Sequence, residues 1–121
     1  MWSSEKYRFD DAAKKTLEQL RTPLAVYQFL NKRVVTVLVS DGFIDLLELE
    51  DREKAVYLMD HDMYEATHPD DKARIADEAV RFATQGGKYD VVYRTRTVKG
   101  DEYRILHAIG EHVYTEDGVR L

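Results

Sequence analysis

The side chains able to do chemistry in this chain are four histidines, two pairs of nearby carboxylates and eight tyrosines. His61 and His68 are separated by a stretch without a regular period. His107 and His112 have odd spacing, which puts them on opposite faces of a regular strand. Neither a His-Glu-x-x-His pattern nor a histidine–carboxylate cluster accompanies them, so they read as structural or surface histidines rather than metal ligands. Asp60 with Asp62, and Asp70 with Asp71, could hold a hard cation. The loop of alternating acidic ligands with its glycine and distant glutamate is missing, so helix capping is the simpler role. Gly86-Gly87 follows a helical stretch and precedes a strand-like one, the order of a helix stop rather than a phosphate cradle. With no cysteine in the chain, disulfides, thiolate zinc sites and cysteine nucleophiles are excluded together.

Seven of the tyrosines, Tyr27, Tyr57, Tyr64, Tyr89, Tyr93, Tyr103 and Tyr114, fall in or beside expected core elements. Each can bury a ring while its hydroxyl still needs a partner. They read either as amphipathic core filling or as the wall of a small-molecule cavity. The cavity set so expected is Tyr27, Phe43, Leu47, Met59, Tyr64, Tyr93, Thr95 and Arg104. An inward Arg104 would be a costly buried charge unless a ligand carboxylate, or a nearby Asp or Glu, met it.

The elements that must position these residues are legible in the pattern. Residues 5–21 read as a helix with Asp10 or a preceding Ser as cap; Phe9, Ala13, Leu17 and Leu20 form a narrow apolar stripe. That stripe suits packing on its own domain or against a second copy. Leu24 to Leu30 and Val34 to Val39 are β-rich runs around Asn31-Lys32-Arg33, a hairpin whose second strand should be buried on both faces. Phe43, Leu46, Leu47 and Leu49 give a short helical face, and Asp51 can cap a helix running through Met59. His61 to Ala66 reads as an irregular turn. Pro69 fits the first position of the best-marked helix, with Asp70 and Asp71 at the positive end of its macrodipole. Ile75, Ala76, Ala79, Phe82 and Ala83 build its apolar face.

Two long strands follow, Tyr89 to Val98 and Glu102 to Tyr114, joined by a turn at Lys99-Gly100-Asp101. In the first, the side carrying Arg94 and Arg96 should be solvated or meet a partner's carboxylates. In the second, both faces carry apolar residues, so each needs a cover: the sheet's own helices for one, the N-terminal helix or another subunit for the other. Val119-Arg120-Leu121 reads as the opening of a fifth strand that the chain cuts short, as in a fragment of a longer protein.

At 121 residues the chain is one domain by size, able to bury roughly two-thirds of its unfolded surface. Its net charge of −5 offers no basic stripe for a nucleic-acid partner. There is no run of about 18 apolar residues to span a membrane and no signal peptide at Met1 to Lys6, so a cytoplasmic location is expected.

His68-Pro69-Asp70-Asp71 before a long helix, Tyr93-Arg94 in one long strand, the Lys99-Gly100-Asp101 turn, Tyr103-Arg104 after it and the closing Glu116-Asp117-Gly118 turn together resemble a PAS domain of the HPDD-containing type. The resemblance spans residues 24–121, with 1–23 as an N-terminal flanking helix. It implies an α+β fold: a five-stranded antiparallel sheet in order 2-1-5-4-3, its last strand truncated here, with helices over one face. The flanking helix resembles those that mediate PAS dimers, which makes Phe9, Ala13, Leu17 and Leu20 the expected dimer interface. Ser40-Asp41-Gly42-Phe43-Ile44-Asp45-Leu46-Leu47 resembles the passage from strand to helix, with Phe43 as anchor. Departures from the pattern are Glu48-Leu49, where Gly-Tyr often stands, and Ile105 in place of a tryptophan.

The absent cysteine rules out the cysteinyl-flavin and cysteine-held chromophores of photoreceptor relatives. The long helix has no histidine after His68 to ligate haem. Metal, haem and cysteinyl flavin are therefore not expected. The resemblance implies a non-enzymatic sensory or regulatory module of a bacterial protein, homodimeric, acting on an attached output domain such as a GGDEF diguanylate cyclase or a histidine kinase, with a small-molecule ligand as a further expectation. The alternatives are a ligand-free PAS relay and a small ketosteroid-isomerase-like enzyme, whose long helices would precede most strands.

Overall fold

The computed structural model describes residues 5–97 and 100–121. Val98, the expected end of a strand, and Lys99, in the expected turn, lie outside them. Eight elements are formed: α1 (Asp11–Glu18), β1 (Ala25–Leu30), β2 (Arg33–Val39), α2 (Asp41–Leu46), α3 (Arg52–Asp62), α4 (Pro69–Gln85), β3 (Lys88–Arg96) and β4 (Tyr103–Glu111). They fall into two compact units, Met1–Met63 with Tyr114–Leu121, and Tyr64–Val113.

The first unit is built on the β1–β2 antiparallel hairpin, which turns at Asn31 and Lys32. Both residues have positive φ (52° and 65°), the pairing whose twist matches the flanking strands. Asn31 tolerates that region best among non-glycine residues. Thr36, Leu38 and Val39 of β2 are almost fully buried, as the continuous β-rich run implied, and Ala55 and Met59 of α3 join them in the core. Ser40 ties this unit together. Its hydroxyl accepts the N–H of Phe43 as cap of α2, accepts the N–H of Leu24 and donates to the carbonyl of Thr22. Asp51 caps α3 by accepting from Lys54 N–H, as its position required.

The second unit is α4 against the β3–β4 hairpin. Pro69 opens α4, and Gly86 stops it with φ 79°, a region costly to residues with a Cβ. Val91 and Thr95 of β3 are buried, along with Ile75 and Ala83 of α4, while the Phe82 and Tyr89 rings meet at 5.6 Å. Gly110 lies opposite Tyr89, where a Cβ would approach the Tyr89 side chain to 3.2 Å.

Several sequence expectations change. Residues 5–9 are not helical: α1 begins at Asp11, with Asp10 accepting the N–H of Ala13 as cap. Upstream, the backbone of Tyr7 is taken by the Gln28 side chain instead of a helical carbonyl. Phe9 and Leu20 thus flank α1, and the expected stripe is helical at Ala13 and Leu17 alone. The helix expected to end at Met59 continues to Asp62. The described strands form two two-stranded sheets, β1-β2 and β3-β4. In the expected order a fifth strand is the piece that would join β1 to β4. Residues 119–121 contribute one isolated bridge, Arg120 to Tyr114, so the five-strand order is not seen among the described residues.

Candidate functional site

The motif at the start of α4 works as a clasp on β3. His68 accepts the Asp70 N–H on its Nδ1 at 3.1 Å, capping the helix, which requires the ring proton to sit on Nε2. Its backbone N–H donates to the Arg94 carbonyl at 2.8 Å. Asp71 does not cap the helix. Its Oδ2 accepts the Arg94 backbone N–H (2.9 Å) and Nε (3.0 Å), and its Oδ1 accepts Nη2 (2.9 Å). The Arg94 guanidinium, and after it the Arg94 backbone N–H, hold the Asp71 carboxyl well below the usual carboxylate range. The carboxylate that Arg94 meets is thus its own chain's, and the fork geometry makes the pair bidentate.

On the face of β3 turned toward α4, Tyr89 and Tyr93 stand four residues apart, with Tyr64 close enough for a charge on any of the three to be felt by another. Burial pushes the phenols of Tyr64, Tyr89 and Tyr93 up, and the neighbouring phenols add to the effect at Tyr89 and Tyr93. Three half-buried tyrosines in mutual range form a polar patch, with Glu78 and Arg74 also acting on Tyr89. The other tyrosines divide: Tyr57, Tyr103 and Tyr114 are exposed, against expectation, and Tyr27 is half-buried.

The opposite face of the same hairpin is bare. Ile105 is 75% exposed, Ile109 66% and Val92 51%. The register places Ile109 across from Asp90, His107 across from Val92 and Ile105 across from Arg94, all on one face. His107 Nε2 and Asp90 Oδ1 lie 2.7 Å apart, and Lys88 pairs with Glu111 at 3.7 Å. The apolar centre is therefore bounded by carboxylates at the Lys88–Glu111 end and by arginines at the Arg96 end. His112 lies past β4, stacked on Phe82 at 4.0 Å, with Nε2 donating to the Phe82 carbonyl at 2.8 Å. It closes the end of α4 rather than any site. No group of histidines and carboxylates among the described residues is arranged to hold a metal.

The expected cavity set divides between the units. Tyr27, Phe43, Leu47 and Met59 lie in the first; Tyr64, Tyr93, Thr95 and Arg104 lie in the second. Arg104 is exposed, so it is not the buried charge that a ligand carboxylate would have to meet. A groove of about 480 Å³ in the first unit is lined by none of these residues. It runs between Lys6, Lys14 and Glu18 on one side and Val56, Tyr57, Asp60 and His61 on the other. Its cations and carboxylates balance, which favours neither anionic nor cationic ligands. Of the expected interface, Phe9, Ala13 and Leu17 are half-buried and Leu20 is 40% exposed.

Sequence reasoning missed Arg52 and Gln28, and it raised Asp60 as a cation ligand or helix cap without its strand partner. Arg52 reaches four oxygens: Nε donates to the Val39 carbonyl, Nη2 to the Glu18 carbonyl and the Asp41 carboxylate, and the Glu18 carboxylate lies 3.3 Å from Nε. Asp60 Oδ1 accepts the Thr36 N–H at 2.7 Å. Nothing in the local pattern marks these roles, since each is played across the fold. Asp71 and Arg94 were both inside quoted motifs, and their opposite charges were the available signal.

No helix among the described residues is long and apolar enough to cross a membrane. The family described as PAS fold matches residues 36–121. No curated protein and no solved structure matches the chain.

Proposed function

Because the chain belongs to the PAS fold family, a fold whose members are typically sensory rather than catalytic, we propose that it is a cytoplasmic regulatory module that pairs with a second copy of itself and biases an attached output domain, such as a diguanylate cyclase or a histidine kinase. The observation that carries the pairing is the bare face of β3–β4. Isoleucines exposed to 75% and 66% beside a half-exposed valine form an apolar strip of the kind that marks an interface. The occupant favoured by the charges is a second copy. Two such faces related by a twofold axis bring Ile105 of one over Ile109 of the other, and Arg96 toward the partner's carboxylate-bearing end. Catalysis is assigned to the output domain.

A second reading, ligand sensing, is favoured by the three half-buried phenols of Tyr64, Tyr89 and Tyr93, which offer donors and acceptors close together. A small neutral polar molecule suits them better than an anion, since Arg104 is exposed. Native mass spectrometry of the whole chain tests both readings. A two-chain species supports the pairing, and a small mass lost on denaturation supports the ligand. A lone apo chain at every concentration contradicts both.

A further inference from the structure

Residues 5–19 are attached to the first unit in an unusual way. α1 buries none of its residues, and at eight residues it is shorter than helices that persist alone in water. Apolar packing, through half-buried Phe9, Ala13 and Leu17, is therefore incomplete. Two polar clamps are provided as well. At the upstream end, the Gln28 side chain is 6% exposed and acts as a surrogate strand partner: Oε1 accepts the Tyr7 N–H at 2.7 Å, and Nε2 donates to the Glu5 carbonyl at 3.4 Å. At the downstream end, Arg52 takes both the carbonyl and the carboxylate of Glu18 while remaining tied to Val39 and Asp41.

Immediately after the second clamp the chain is fixed much more firmly. The Gly42 N–H donates to the Leu20 carbonyl at 3.0 Å, and Ser40, fully buried, donates to the Thr22 carbonyl at 2.7 Å. A Cβ on Gly42 would sit 2.0 Å from the Arg21 oxygen, so the two backbones are in direct contact. A weakly packed segment thus ends at a rigid anchor.

We propose that residues 5–19 are a strap that opens as one unit about the anchor at Leu20–Thr22, its closed position held by Gln28 and Arg52 more than by burial. The strap forms one wall of the 480 Å³ groove, through Lys6, Lys14 and Glu18, so its opening widens that groove and uncovers the side of β2 behind it. Hydrogen bonds supply much of the closing force, charge-assisted at Arg52 and neutral at Gln28, and removing one end of each leaves its partners to water. The proposal is independent of the regulatory reading above, because it concerns the order in which parts of this chain open.

Amide hydrogen exchange on the full chain tests it. In the unmodified protein the α1 amides should exchange faster than those of α3 around Ala55 and Met59. Arg52→Ala and Gln28→Ala should each accelerate α1 exchange by about tenfold or more, with α4 unchanged. If α1 and α3 exchange at one common rate in the unmodified protein, the strap does not open separately and the proposal is overturned, whether or not the variants fold. Variants that raise all rates alike, or leave α1 unaffected, overturn it too.

Discussion

The two units solve one problem in the same way and then diverge. In each, a helix sends an aspartate to a strand N–H: Asp60 of α3 to Thr36 of β2, and Asp71 of α4 to Arg94 of β3. The carboxylate blunts a strand edge that could otherwise recruit another strand. In the first unit the C-terminal end of β2 is then covered, with Thr36, Leu38 and Val39, and Ser40 after them, all at or below 2% exposure. In the second unit one face of the hairpin is packed against α4 and the other is left apolar and open. Both units protect an edge, and the second also leaves one face of its hairpin available for association. The first unit reads as scaffold and the second as surface.

The largest test of that contrast is Gly42→Ala. With the Arg21 carbonyl oxygen 2.0 Å from where the new Cβ must go, the backbone has to move, and a loss of about 3 kcal/mol is expected. Chemical denaturation followed by exchange should show the loss in the first unit, leaving α4 and β3–β4 folded longer. Collapse of both units together would show that they do not unfold separately.

Asp71→Asn is the counterpart in the second unit. It should lower the melting temperature more than Asp70→Asn, because Asp70 is exposed and meets no strand. The Asp71 carboxyl is depressed in the folded state, so its contribution is fully present above the unfolded carboxylate pKa of about 4. It is lost as pH falls from there toward the depressed folded value. Melting temperatures from pH 7 down to pH 2 should therefore diverge between the unmodified chain and Asp71→Asn at neutral pH and converge in acid. A constant gap would contradict the pair's role.

A smaller effect is expected from the phenols. The raised values at Tyr64, Tyr89 and Tyr93 mean that their contribution is present below the unfolded tyrosine pKa of about 10 and lost as pH rises beyond it. Ultraviolet titration should show a component titrating above the ordinary range, and Tyr93→Phe should shrink it. The smallest effect is a gain. Thr36 Oγ1 is buried without a hydrogen-bond partner among the described residues, so Thr36→Val should stabilise the first unit by roughly 1 kcal/mol. A loss of stability there would indicate an unrecognised partner for that hydroxyl.

Much of this was legible in residue order. The caps at Asp10, Asp51 and His68, the stop at Gly86 and the hairpin at Asn31-Lys32 are local devices, and local chemistry is written in neighbouring residues. The family signature rests on the same kind of information. The expected helix over 5–21 shortened because a distant residue, Gln28, competes for the Tyr7 backbone. Arg94 was expected to be solvated or to meet a partner's carboxylates and found Asp71 instead, a pairing set by how α4 lies along β3. Arg52 gathers oxygens from three other segments, and no spacing rule registers such convergence. Even the expected cavity mixes residues from both units, because side-chain type does not report which core a residue joins.

The most direct test of the open face is sedimentation velocity on the unmodified chain and on the Ile105→Lys, Ile109→Lys double variant, over a range of concentrations. The expected result is a concentration-dependent dimer for the unmodified chain, weakened about 100-fold or more in the variant with its circular dichroism unchanged. Identical sedimentation of the two, as monomer or as dimer, would contradict the assignment of this face to a second copy.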